Sequence, residues 1–76
     1  MPHIAVHMME GRDDAKKTAL ADALVRAAQE VLGVEEGAFS VSVEDVARAD
    51  WMEAVFEPEI RARRDVLYRK PAYKEV

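Results

Sequence analysis

Between His3 and Met9 the chain reads His-Ile-Ala-Val-His-Met-Met, which sets Ile4, Val6 and Met8 on one side of a period-two pattern and His3, Ala5, His7 and Met9 on the other. Alternation of this kind predicts a half-buried β-strand. It breaks at Glu10-Gly11-Arg12-Asp13, where Gly11 suits a turn and the Asp13 carboxylate suits the position that accepts the first free N–H groups of a helix. From Asp14 to Leu32 the period becomes helical: Leu20, Leu24, Ala27, Ala28 and Val31 recur as an apolar stripe, with Lys16, Lys17, Asp22, Arg26 and Glu30 on other faces. Gly33 stands where a left-handed C-terminal cap belongs. Alternation returns from Ala38 to Glu44, where Phe39, Val41 and Val43 interleave with Ser40, Ser42 and Glu44 and predict a second strand.

Strand, helix and strand within about 40 residues make a βαβ unit of the α/β class, whose helical crossover requires parallel strands and a right-handed connection. Two strands do not complete a sheet. One face is covered by the helix, while the face carrying Ala5, His7 and Met9 and the strand edges stay open unless a second copy of the chain covers them. Further along, Trp51, Val55 and Phe56 suggest a short helical segment. Pro58 suits the first turn of a helix from Glu57 toward Tyr68, with Ile60 and Leu67 on one face and Pro71 ending it. Glu57 with Arg61, and Glu59 with Arg63, are i, i+4 pairs of favourable polarity.

Composition narrows the class. A chain of 76 residues, 50% hydrophobic and 34% charged, suits a single domain over residues 1–76. Such a chain buries only about 60% of its unfolded surface, which adds to the expectation of a homo-oligomer. With no cysteine there are no disulfides, thiol nucleophiles or zinc fingers. Eleven Lys and Arg against 15 Asp and Glu give a net charge of −4, which argues against nucleic acid as a partner. No apolar run approaches the ~18 residues that span a bilayer, and the N-terminus lacks a signal peptide's basic start, so the expected compartment is the cytoplasm, with no membrane partner.

Conventional catalytic motifs are missing. Gly11, Gly33 and Gly37 are too scattered for a phosphate loop, and there is no HExxH or EF-hand spacing. His3 and His7 share a strand face but lie about 13 Å apart, too far to hold one metal directly, so a surface or interface role fits both better. Ser40 and Ser42 lie inside a strand, away from the sharp elbow a serine nucleophile needs. Arg61, Arg63, Arg64, Arg69 and Lys70 read as a solvated face partly paired with Glu57 and Glu59. The unusual position is Pro2. Loss of Met1 would turn its amide nitrogen into a secondary amine, held rigidly at the start of a strand. Burial and neighbouring arginines push such an amine's pKa down toward neutrality, where it can act as a general base.

The order Pro2, strand, Glu10-Gly11-Arg12, long helix, Ser-Val-Ser-Val strand and an aromatic at Trp51 resembles the 4-oxalocrotonate tautomerase family over essentially the whole chain. The opening Pro-His-Ile-Ala-Val-His-Met-Met-Glu-Gly-Arg carries most of the likeness. The C-terminal helix and the ending Arg-Lys-Pro-Ala-Tyr look most like the PptA branch of that family.

The resemblance implies a cofactor-independent enzyme with no metal, acting on a small enol or 2-oxo acid. Pro2 takes the place of the family's catalytic base, Arg12 that of the arginine binding the substrate carboxylate, and Trp51 that of the aromatic packing over the site. Ser40 falls where the family has a second-strand arginine. A serine cannot replace a bidentate guanidinium on a diacid, so a monoacid with an aryl or short dienol tail fits better than 2-hydroxymuconate. The missing donor is left open among His7, Ser40 and a partner-chain Arg61 or Arg64. The implied reaction is keto–enol tautomerisation of 2-hydroxy-2-enoates or dienoates such as phenylenolpyruvate. Alternatives are a hydratase or dehalogenase of acetylenic or haloacrylic acids, which needs an acidic residue near Pro2, and a non-catalytic oligomer that retains Met1. The helical C-terminus, without the glycine-rich hairpin of hexameric relatives, favours a dimer over a hexamer.

Overall fold

The computed structural model describes residues 1–76, which form two compact units, Met1–Asp45 and Val46–Val76. In the first, strand β1 (His3–Met9) is followed by helix α1 (Asp14–Leu32) and strand β2 (Ser40–Val46), which completes the two-stranded sheet. His3 lies against Ser40 and His7 against Glu44. Residue numbers rise together along both strands, so they are parallel, as a helical crossover demands.

Both ends of α1 are set by local chemistry. At the start, Asp13 Oδ1 accepts the Lys16 N–H at 2.9 Å. At the end, Gly33 takes φ 69° and donates its N–H to the Gln29 carbonyl at 2.8 Å, a left-handed cap that a side chain would strain. The inward stripe is Lys17, Leu20, Ala21, Leu24, Val25 and Ala28, all half-buried. Ala27 and Val31, expected on that stripe, face outward, Val31 being 83% exposed and the neighbouring Leu32 56%. Length accounts for Val31, since a helix of 19 residues runs about 28 Å and outlasts strands of about 23 Å, whereas Ala27 lies off the stripe by its angle around the helix, next to the half-buried Ala28. Lys17, expected on another face, lies along the stripe and carries its ammonium to within 2.6 Å of the Asp45 carboxylate on β2.

β2 begins two residues later than the alternation suggests. Glu36–Ala38 form a 3₁₀ turn in which the N–H groups of Ala38 and Phe39 bond to the Glu35 and Glu36 carbonyls, both at 3.1 Å. Ser40 is therefore the first residue free to reach β1, and its N–H donates to the Pro2 carbonyl at 3.2 Å. Val41 and Val43 are half-buried, while Ser40, Ser42 and Glu44 are exposed with His3 and Ala5 on the uncovered face. No side chain of Met1–Asp45 is fully buried.

The second unit contains a 3₁₀ turn at Arg48–Asp50, a helix at Met52–Arg61 and a further 3₁₀ turn at Arg64–Val66. The helix differs from the expected one: it starts before Pro58, encloses it, and stops at Arg61 instead of continuing toward Tyr68. Its turns are wide, of the π type, and its end is bonded i→i+5 by the Ala62 N–H to the Glu57 carbonyl at 2.9 Å. In an α-helix the Pro58 ring would collide with the carbonyl four residues back, and the wider turn relieves that clash. Val55 and Phe56 are buried, at 4% and 0% exposure. No helix is long and apolar enough to cross a membrane.

Candidate functional site

Pro2 precedes the first residue of β1 and is half-buried, whereas Met1 projects fully into solvent. The Pro2 carbonyl is tied to β2 by the Ser40 N–H. The Ser40 hydroxyl shares a hydrogen bond of 2.7 Å with His3 Nδ1. Pro2, His3 and Ser40 thus converge at one end of the sheet. Parallel pairing is what brings residues 37 positions apart into contact.

Arg12 lies elsewhere. It is exposed beyond the other end of β1, and its guanidinium donates to the Met9 carbonyl at 3.1 Å. Gly11, at φ 127°, makes the turn that starts this return. One chain therefore places Pro2 and Ser40 together and Arg12 about 20 Å away along the strand.

Farther along the exposed face, His7 Nε2 approaches Glu44 Oε2 at 3.0 Å. His3 and His7 thus have separate partners, and the chain has no group of three or more His, Asp or Glu residues placed to hold a metal ion. The hydrogen bond of Lys17 to Asp45 raises the Lys17 pKa above its ordinary value, burial opposes it, and the charges of Asp45, Asp14 and Asp13 add to the rise.

Trp51 belongs to the second unit, where it is half-buried and donates its indole N–H to the Tyr73 hydroxyl at 3.0 Å. The arginines of this unit are engaged locally. Arg61 meets Glu57 at 3.1 Å and the Glu75 carbonyl at 3.0 Å, Arg63 meets Glu59 at 3.7 Å, and Arg64 donates to the Arg61 carbonyl at 2.8 Å. The solvated, paired reading of that basic cluster fits these contacts.

A family model described as tautomerase enzyme matches residues 2–55. The chain belongs to the tautomerase family. Among its relatives is a probable tautomerase of Xylella fastidiosa (strain 9a5c), 42% identical over 76 residues, with 100% of this chain and 93% of the relative covered. Tautomerase PptA of Cronobacter sakazakii is 38% identical over 76 residues, covering 97% of this chain and 99% of that protein. Tautomerase PptA of an Enterobacter species (strain 638) is 30% identical over 74 residues, covering 96% and 97%. Likeness over the full length agrees with the βαβ order seen here and marks the chain as a tautomerase-type enzyme, of the isomerase class.

Two side chains around this tautomerase's candidate residues escaped the sequence pattern. The pattern fits His3 to a surface or interface role, and its bond to Ser40 follows only once β1 and β2 are set in register. Tyr73 lies in a tail without periodicity, and no local signal connects it to Trp51.

Proposed function

We propose that the protein ketonises 2-hydroxy-2-enoates or dienoates, with phenylenolpyruvate as a representative substrate, using the Pro2 amine freed by removal of Met1. The observation that carries this reading is Pro2 itself, anchored at the head of β1 by the Ser40 N–H in a chain whose tautomerase match begins at that residue. Met1, wholly exposed, is open to removal.

In the proposed reaction the neutral Pro2 amine takes the enol hydroxyl proton. The O–H electron pair becomes the carbonyl π bond, and the carbon–carbon π pair takes a proton at carbon from the Pro2 ammonium, giving the 2-oxo acid. Arg12 binds the carboxylate by paired N–H donors. In this reading the Ser40 hydroxyl, which is hydrogen-bonded to His3, donates to the oxygen on which enolate charge collects. Family likeness gives Trp51 the part of the aromatic that suits an aryl or dienyl tail. The chemistry requires no metal or organic cofactor.

Because Arg12 ends β1 far from Pro2, the reading takes Arg12 from a second copy. A two-fold pairing of β1 with its copy is antiparallel and brings the Arg12 end of one chain beside Pro2 of the other. This joins two pairs of strands into one four-stranded sheet and favours a homodimer, in the cytoplasm. The hydratase or dehalogenase alternative needs a carboxylate at Pro2, but Glu44 is engaged by His7 farther along the strand.

The test is ketonisation of phenylenolpyruvate, followed by ultraviolet absorbance, with protein shown by intact mass to lack Met1. Pro2→Ala is expected to lose at least ~100-fold in kcat, the low end for a positioned general base. Equal rates for the two proteins would reject Pro2 as the base.

A further inference from the structure

We propose that His3 is a positioning residue whose Nδ1–H donates to Ser40 Oγ and so turns the Ser40 hydroxyl proton toward the substrate oxygen; this rests on reading Ser40 as the donor to that oxygen. The residues concerned adjoin Pro2 within one compact unit. His3 follows Pro2 in the chain, and the Ser40 N–H donates to the Pro2 carbonyl at 3.2 Å. Ser40 Oγ and His3 Nδ1 are 2.7 Å apart, a full hydrogen bond.

A serine hydroxyl has one proton and two acceptor lone pairs, whereas each ring nitrogen of a neutral imidazole either donates or accepts. The one contact therefore has two directions, with opposite consequences. With Nδ1 bare, the hydroxyl proton points at His3 and only lone pairs face an enolate oxygen. With the proton on Nδ1, the imidazole donates to Oγ and the hydroxyl proton is left for the enolate. Donation received at Oγ also strengthens donation from it. Developing enolate charge attracts a proton and repels a lone pair, so the transition state selects the second direction. No other side-chain hydrogen bond engages either residue, and the other pair on this sheet face, His7 with Glu44, lies four residues farther along each strand. Both side chains are exposed, so water can carry the imidazole proton from one ring nitrogen to the other.

His3→Ala and His3→Asn replace an exposed side chain and keep the backbone bond from Ser40 to Pro2, so the fold is retained. The Asn amide reaches the place of Nδ1 and can donate there, and alanine cannot. Ketonisation of phenylenolpyruvate is compared on the plateau of each protein's pH profile, so that a change in the Pro2 amine does not enter. His3→Ala should lower kcat by ~5-fold, the scale of one hydrogen bond, with KM within ~2-fold, because the oxygen gains its charge only toward the transition state. His3→Asn should bring kcat back to within ~2-fold of wild type. In a Ser40→Ala background, His3→Ala should have no further effect. An unchanged kcat in His3→Ala, a loss carried by KM alone, no recovery in His3→Asn, or the same loss without the Ser40 hydroxyl would overturn the proposal. If Ser40→Ala is slow while His3→Ala matches wild type, the His3 role alone falls. If Ser40→Ala matches wild type while Pro2→Ala is slow, the reading of Ser40 as donor falls and takes the His3 role with it. If wild type runs no faster than Pro2→Ala, the reading of Pro2 as base falls together with both.

Discussion

Pro2 and Arg12 stand at opposite ends of β1, the Pro2 carbonyl bonded to Ser40 and the Arg12 guanidinium folded back onto the Met9 carbonyl. A substrate a few ångströms long cannot touch both in one chain. If the dimer supplies Arg12 across its two-fold axis, inactive Pro2→Ala and Arg12→Ala proteins should restore activity when unfolded and refolded together. Half of a random mixture is heterodimer, and each heterodimer holds one intact site, so about a quarter of wild-type activity should return. No recovery despite heterodimers seen by native mass spectrometry would place both residues in one chain's site.

Lys17 and Asp45 pin α1 to β2, and the pair has a pH signature. The folded state raises the Lys17 pKa, so the pair's stabilisation is fully present below the ordinary lysine value of 10.5 and is lost as pH rises through the higher folded value. Lys17→Met keeps most of the aliphatic stem and removes the charge. The urea midpoint of wild type should exceed that of the variant at pH 8, and the gap should narrow at pH 11. A gap that stays constant would mean that packing of the stem, not the ion pair, holds the helix.

Gly33 and Gly37 separate backbone strain from crowding. A Cβ at either position meets nothing within 4 Å, yet only Gly33 has positive φ, at 69°. Gly33→Ala should therefore cost about 1 kcal/mol, through the left-handed cap alone, and Gly37→Ala should be close to neutral. Matched urea melts check this, and equal losses would remove the cap as the cause.

Sequence patterns foretold the elements whose signals are local. The alternation of Ile4, Val6 and Met8, the Asp13 cap, the Gly33 cap and the alternation around Val41 and Val43 each act within a few residues, and each is present in the fold. What escaped depends on partners far along the chain. His3 reaches Ser40 across 37 residues and Trp51 reaches Tyr73 across 22, and only the folded register brings them together. The C-terminal helix escaped for a different reason. Proline usually marks a first turn, but here the backbone widens to enclose Pro58, an answer that propensity does not anticipate. Pro2, Arg12, Ser40 and Trp51 were legible as candidates through family likeness, whereas the opposed placement of Pro2 and Arg12 needed the strand.

Ser40 offers the sharpest test of substrate choice. It sits exposed at the head of β2, beside Pro2 and bonded to His3, where the family resemblance expects an arginine. A hydroxyl can donate one hydrogen bond to an enolate oxygen but gives no charge to a second carboxylate. Ser40→Arg adds a guanidinium without filling a buried space. It should raise kcat/KM for 2-hydroxymuconate over phenylenolpyruvate by on the order of tenfold, as a charge-assisted contact allows. Ser40→Ala serves as the control, since it frees His3 without adding charge and should slow both acids alike. If Ser40→Arg leaves the ratio of the two acids unchanged, the second carboxylate is not read at this position and Ser40 lies outside the substrate's reach.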